Sequence, residues 1–289
     1  MTIPAELRNV RKAFGPVVAL ADVSLRVDQG EVVALLGANG AGKTTAVGAL
    51  LGLKRPDAGK AVLFGRDSRS PRARALVGAT PQEMGFPQSL RVGEVCDLVR
   101  AHYDAPLDVE AALDLVGVAD LRKRQVGGLS GGQRRRLALA LAFIGAPKLV
   151  LLDEPTTGLD VESRRQAWDV VRSFRDDGGS VLLTTHYIDE AEALASRVIV
   201  IRRGMIVADD SVEAIRSRAG LARIRFRDVE LPADLRDGAR RESGSVTIFA
   251  ADAGEAVRRL VEAKVPLHDL EVRRETLEEA LGTIEGRGA

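Results

Sequence analysis

Short apolar runs bounded by glycine, proline or charged residues recur along much of the chain. Val32, Val33, Ala34, Leu35 and Leu36 form one such run, partly β-branched and too short for a helix, which predicts a buried strand. The same pattern predicts strands at 61–64, 77–80, 149–152, 181–184 and 198–201, the last running through Arg202-Arg203-Gly204 into 205–208. Strands of this kind, separated by helical stretches, predict a parallel sheet covered on both faces. Ahead of them, candidate strands at 6–13, 17–20 and 24–27, punctuated by Gly15-Pro16 and Asp28-Gln29-Gly30, predict a β-rich, antiparallel start. Between about 84 and 145 helical spacing takes over, at 92–103, 109–116 and 131–144, which reads as an inserted helical subdomain.

A second, smaller unit is expected from about residue 220. A strand at 246–250 precedes a helix at 254–263, with apolar Ala256, Val257, Leu260 and Val261, and then a strand at 270–272. A last helix is expected at 277–284, ahead of a frayed 286–289 tail. The fold class is therefore α/β, with an N-terminal antiparallel β region, an inserted helical subdomain and a small α+β C-terminal domain. The expected domains are 1–219 and 220–289. The second holds no visible catalytic cluster and reads as an accessory module.

One turn carries chemistry. Gly37-Ala38-Asn39-Gly40-Ala41-Gly42-Lys43-Thr44 fits the phosphate-loop pattern at every fixed position, between the 32–36 strand and a helix beginning near Ala46. That context lets backbone N–H groups converge on a phosphate. Lys43 supplies a point charge to the outer phosphates, and the Thr44 hydroxyl can complete the shell of a magnesium ion. Thr45 stands with them in the first helical turn. These residues predict a bound nucleoside triphosphate on a phosphate-loop NTPase core.

Two further segments gain meaning beside that loop. The 149–152 strand ends in Asp153 and Glu154, and in such sheets ligands sit beyond the C-terminal strand ends. Asp153 is placed to reach magnesium, Glu154 to polarise an attacking water. Leu129-Ser130-Gly131-Gly132-Gln133 opens the 131–144 helix: Ser130 suits an N-cap, and the glycines leave bare backbone for a second anion site.

Composition narrows the partners. At 289 residues, 45% hydrophobic and 29% charged, the chain suits an ordinary globular protein with a sizeable core. Its 42 basic and 41 acidic residues nearly cancel, so no global charge favours nucleic acid. The single cysteine, Cys96, excludes an intrachain disulfide and reads as a buried thiol in a reducing compartment. The N-terminal stretch lacks the apolar core of a secretory signal, and no apolar run is long enough to span a bilayer. The basic runs 134–136 and 122–124 read as solvated faces, His102 and His268 as surface or half-buried residues, and Trp168 as packing.

Together the phosphate loop, the intact 129–133 motif, Asp153-Glu154 at a strand end and His186 resemble the ATP-binding cassette (ABC) transporter ATPases, over roughly 7–215. The 129–133 sequence between a phosphate loop and a hydrophobic Asp-Glu strand is specific to that superfamily. The resemblance implies further roles: Gln82 as the glutamine that senses magnesium and the γ-phosphate, His186 as a switch contacting the γ-phosphate, and Asp160 at a dimer interface. Phe14 falls where the family usually has a tyrosine stacked on adenine, and keeps the aromatic face. It also implies a head-to-tail homodimer in which Ser130, Gly131, Gly132, Gln133 and Asp160 meet the partner's ATP, with Mg2+ as cofactor.

Short insertions, no heptad run and a lone cysteine argue against the DNA-repair and chromosome-organising branch. A single cassette argues against the ribosome-acting branch. A transporter ATPase remains, cytoplasmic and held peripherally to the membrane by an integral-membrane permease, with no nucleic-acid partner. Segments 81–94 and 271–281 resemble the daunorubicin-resistance group of ABC-2 exporters, although Glu275-Thr276 stands where Pro-Ser or Pro-Thr is common. Export is thus the expected direction, and an importer ATPase the alternative.

Overall fold

The computed structural model describes residues 3–80, 85–214, 222–229, 231, 239–242, 244–250 and 252–274. It divides into two compact units, Met1–Asp209 and Asp210–Ala289.

The first unit opens with an antiparallel sheet. β1 (Ala5–Phe14) and β2 (Val17–Val27) form a hairpin that turns at Gly15. The expected strands 17–20 and 24–27 are one strand. The polar break between them is absorbed by register shifts and by the left-handed backbone of Asn9 and Asp22, so the ladder continues through a bulge. β3 (Val32–Leu36) leads into α1 (Lys43–Leu50). β4 (Ala58–Leu63) corrects another expectation: it pairs antiparallel with β1, Leu7 opposite Ala61, rather than joining the parallel sheet. Its buried Ala61 and Leu63 alternate with half-buried Val62, the pattern of a sheet with one covered face, and a run this short cannot reveal its sheet. β5 (Arg66–Asp67) completes the order β2-β1-β4-β5.

A short α2 (Pro71–Arg74) precedes β6 (Val77–Thr80). The helical block then follows as α3 (Val92–Arg100), α4 (Val109–Asp114) and α5 (Gly131–Phe143), each ending slightly before its expected limit. β7 (Leu149–Asp153), α6 (Val161–Asp176), β8 (Ser180–Thr185), α7 (Ile188–Leu194), β9 (Arg197–Arg202) and β10 (Met205–Ser211) complete the alternation. The main sheet runs β10-β9-β3-β8-β7-β6, and the β9-β3, β3-β8, β8-β7 and β7-β6 pairs are parallel.

Register decides function here. Leu36 lies opposite Thr185 and Val200, Asp153 opposite Thr184, and Leu152 opposite Thr80. The carboxyl ends of the central strands therefore stop level, and the segments that leave them emerge side by side. Beneath that rim Leu35, Leu151, Leu182 and Ile199 are fully buried in a cluster with Ala46 and Leu50 of α1. Each such large side chain contributes about 1.5–3 kcal/mol on burial, so the rim stands on a rigid floor.

In the second unit, β11 (Ala222–Arg227), β12 (Arg240–Glu242), β13 (Ser245–Ala250) and β14 (Glu271–Arg274) form an antiparallel sheet in the order β12-β13-β11-β14. With α8 (Ala253–Glu262) they enclose Ile224, Phe226, Val246, Ile248, Leu260 and Val265. β11 escaped sequence reading because arginines alternate with Ile224 and Phe226, which gives a strand with one polar face and no apolar run. The helix expected at 277–284 lies outside the described residues.

Candidate active site

The loop after β3 is shaped by what cannot fit there. A Cβ on Gly37 would come within 2.4 Å of the Ile201 carbonyl oxygen, and one on Gly42 within 2.6 Å of that of Ala19. Gly42 also has φ +115°, in the region that side-chain-bearing residues avoid. Gly42→Ala is expected to cost about 1–3 kcal/mol or more, read as a lower midpoint of chemical unfolding; an unchanged midpoint would show that the loop can relax. Gly42 is the N-cap of α1 and offers no side-chain cap, so N–H groups of the first turn are left for an anion. Ala38, Asn39 and Gly40 are exposed, Ala41, Gly42 and Thr45 buried, and Thr44 half-buried.

Lys43 is 5% exposed, and its ammonium donates to the carbonyls of Gly37 at 2.7 Å and Ala38 at 3.3 Å. The same Nζ lies 3.4 Å from Oε1 of Glu154. The side chain thus folds back over its own loop, with its charge at the centre of the site.

Two carboxylates arrive from β7 in different settings. Asp153 is buried, accepts the Thr184 hydroxyl on Oδ1, and donates its N–H to Thr80 Oγ1 at 3.2 Å. Its orientation is fixed from both neighbouring strands. Glu154 has φ +51°, and its N–H donates to the carbonyl oxygen and to Oγ1 of Thr184, each at 3.1 Å. Left-handed backbone at a glutamate costs of order 1–3 kcal/mol and persists where surrounding bonds over-determine it. Here the turn aims the carboxylate back over the strand ends. Oε1 lies 3.4 Å from both Lys43 Nζ and His186 Nδ1, while Oε2 accepts the Thr157 hydroxyl at 3.3 Å. One carboxylate oxygen is therefore shared between an ammonium and an imidazole.

His186 leaves β8 just past Thr185, partly exposed, with its ring 4.1 Å from that of Tyr187. Beneath it Glu190 is fully buried and accepts the Thr156 hydroxyl at 2.8 Å and the Trp168 indole N–H at 3.3 Å. Burial raises its pKa above the ordinary carboxylate value. These bonds tie the segment after Glu154 to α7, and account for Trp168 as packing.

The start of α5 is separately built. Ser130 Oγ accepts the Gln133 N–H at 3.2 Å, and Gln133 Oε1 accepts the Ser130 N–H at 2.9 Å, a reciprocal capping box. A Cβ on Gly131 would meet nothing within 4 Å, so its backbone lies bare. A Cβ on Gly132 would lie 3.6 Å from Leu159, beside the Asp160 loop. Asp160 caps α6, with Oδ1 accepting the Ser163 N–H and Oδ2 its hydroxyl, each at 2.8 Å. The Ser163 N–H, first of all, lowers the Asp160 pKa. Among the described residues, the hydrogen bonds of Ser130, Gln133 and Asp160 are local, and none reaches the 37–45 loop.

Phe14 is 46% exposed at the end of β1, with the ammonium groups of Lys12 and Lys54 at 5.4 and 5.1 Å from its ring centroid. Gln82 lies outside the described residues. Cys96 is buried, and desolvation pushes its thiol up to about 11, so it stays protonated and inert. The expectation of a solvated 134–136 face does not hold. All three arginines are half-buried: Arg136 donates to the Gly117 carbonyl at 3.1 Å, and burial lowers the Arg135 pKa against the pull of the Glu154 and Asp153 charges. Sequence reading missed Thr80, Thr157 and Thr184, whose hydroxyls hold the two acids; a threonine ending an apolar strand is the signal that marks Thr80 and Thr184.

A family model described as ABC transporter matches residues 20–157. The chain is 38% identical to the doxorubicin resistance ATP-binding protein DrrA of Mycobacterium tuberculosis, across 94% of this chain and 90% of that one. It is 36% identical to the daunorubicin resistance ATP-binding protein DrrA2 of Streptomyces coeruleorubidus, across 96% and 93%. With the Nod factor export ATP-binding protein I of Burkholderia lata it shares 40% identity, across 81% and 79%. Among solved structures, the ATP-binding subunit of an ABC transporter superposes with TM-score 0.69 at 25% identity, covering 76% of this chain and 94% of that one. A dimeric ATP-binding cassette in a post-hydrolysis state, bound to ADP and Pi, gives 0.67 at 24%, covering 72% and 98%, a likeness of fold.

Proposed function

The chain belongs to the ABC transporter family and is one of its nucleotide-binding ATPase subunits, and from that premise we propose that it powers a separate integral-membrane permease that exports a drug, lipid or other small molecule. The observation that supports export is the extent of similarity: the drug-resistance relatives match over nearly the whole chain, second unit included. No helix among the described residues is long and apolar enough to cross a membrane, so in this reading the permease supplies the path and holds the ATPase at the cytoplasmic face. The test is drug retention in cells lacking this chain. Anthracycline retention should rise; reduced uptake would mark an importer, and no change would remove drugs of this class.

The proposed chemistry follows from the shared Glu154 oxygen. The Lys43 ammonium stands 3.4 Å from the Glu154 carboxylate. ATP bound at the 37–45 loop presents its β- and γ-phosphates to the Lys43 ammonium and to the bare N–H groups of α1, and draws Lys43 towards them. Glu154 is then released to accept a proton from the water that attacks the γ-phosphate. His186, already 3.4 Å from Glu154, is placed to contact the γ-phosphate, and Gln82 is assigned the sensing of magnesium and the γ-phosphate by the family resemblance. The Asp153 carboxylate and the Thr44 hydroxyl are hard oxygen donors that would hold magnesium, and by the family resemblance Gln82 would join them. Bound there, Mg2+ would neutralise charge on the phosphates. Asp153 is pre-oriented for that role by Thr184 and Thr80.

The exposed start of α5 completes the site from a second copy. Its capping box occupies Ser130 and Gln133 but leaves the Gly131 backbone bare, and Asp160 stands at the neighbouring helix start. In the proposed head-to-tail dimer these groups close over the partner's ATP while Phe14 stacks on adenine. ATP must bind the closed dimer more tightly than the open one, since only that difference can close it, and hydrolysis then reopens it.

A further inference from the structure

The carboxylate of Asp57 has no part in the phosphate chemistry, yet it is fully engaged at the end of β1. Oδ2 accepts the Ala13 N–H at 2.7 Å, Oδ1 accepts the Lys12 ammonium at 2.8 Å, and the Asp57 N–H donates to the Arg11 carbonyl at 2.8 Å. Three consecutive residues directly ahead of Phe14 are thus held by one aspartate. They need holding, because the β1–β4 register slips between Arg8 and Arg11 and the ladder ends at Arg11 and Ala58.

The Lys12 and Lys54 ammonium groups stand over the ring of Phe14, 5.4 and 5.1 Å from its centroid. Asp57 holds the Lys12 ammonium by an ion pair at 2.8 Å while that ammonium stands over the ring. We infer that Asp57 is a positioning residue for nucleotide-base recognition: by fixing the end of β1 it sets where the Phe14 ring stands for a purine. The inference rests on the reading of Phe14 as the adenine platform. Asp57 is itself half-exposed, so truncating it empties no core. The bonds from Lys12 and Ala13 lower its pKa, in keeping with a carboxylate ionised throughout the working range.

The test compares two ligands on the full-length protein, titrated calorimetrically with magnesium present: ATP, and inorganic tripolyphosphate, which has phosphates and no base. Asp57→Ala should weaken ATP binding about three- to tenfold and leave tripolyphosphate binding unchanged. Asp57→Asn, which keeps an acceptor for Ala13 but weakens the hold on Lys12, should fall between. Phe14→Ala should also weaken ATP alone, and Asp57→Ala should add nothing in that background. The inference is overturned if Asp57→Ala leaves ATP affinity intact, weakens both ligands alike, or adds its full effect to Phe14→Ala. A Phe14→Ala protein that binds ATP normally would instead remove the adenine platform, and the inference with it.

Discussion

Glu154→Gln is expected to bind ATP at least as tightly as the unaltered protein and to hydrolyse it about 10²–10⁴-fold more slowly. The amide keeps the shape of the side chain and the turn it stands on. The Glu154 N–H still donates to Thr184, and the Thr157 hydroxyl still finds an acceptor. What disappears is a base that can take a proton from water. The charge pairing at 3.4 Å with Lys43 disappears too, which leaves the ammonium wholly to the phosphates. Loss of turnover and retention of ATP should therefore occur in one variant, which neither misfolding nor a damaged loop would produce. Single-turnover phosphate release separates the two effects, and near-normal release would take Glu154 out of the role of base. Glu154→Asp makes a sharper control. It retains the charge but withdraws the carboxylate from the point between Lys43 and His186, so hydrolysis should fall nearly as far.

Much of this site was legible in the sequence because its parts are local. A glycine-rich turn must follow a strand and open a helix, and the residues from Gly37 to Thr44 say so within one short stretch. Ser130 and Gln133 stand three apart, the spacing of a capping box, and form one. What the sequence could not show was which strand ends lie side by side. Asp153 and Thr184 are 31 residues apart in sequence and face each other only because β7 and β8 are neighbours in register. Thr80 and Thr184 therefore showed only as threonines near strand ends, with their partners hidden, whereas Thr157 lies three residues from Glu154. The left-handed backbone at Glu154, which aims its carboxylate, was hidden for the same reason. β4 went to the wrong sheet because an apolar run reports burial and not its partner. The 134–136 arginines depart from expectation because charge in a sequence is easily taken for exposure; all three are half-buried, with guanidinium atoms of Arg135 and Arg136 buried as well.

Mixing two inactive variants should restore hydrolysis. Lys43→Ala removes the ammonium bonded to Gly37 and Ala38, so a chain carrying it cannot hold the outer phosphates. Ser130→Glu puts a carboxylate beside the bare Gly131 backbone, where an anion is expected, and should repel the phosphates held by its partner. Each homodimer then carries two defective sites. A heterodimer carries both defects in one site and leaves the other with an intact loop from one chain and an intact α5 start from its partner. At equal concentrations about half the dimers are mixed, so recovery of up to about a quarter of normal activity is expected if the sites act independently. The Lys43 chain must contribute by its α5 alone, which excludes simple dilution of a weak enzyme. Recovery indistinguishable from zero, with heterodimers shown to form by affinity tags, would remove the shared-site dimer. The local bonding of Ser130, Gln133 and Asp160 makes this the decisive test, because within one chain none of them bonds to the loop that holds the nucleotide.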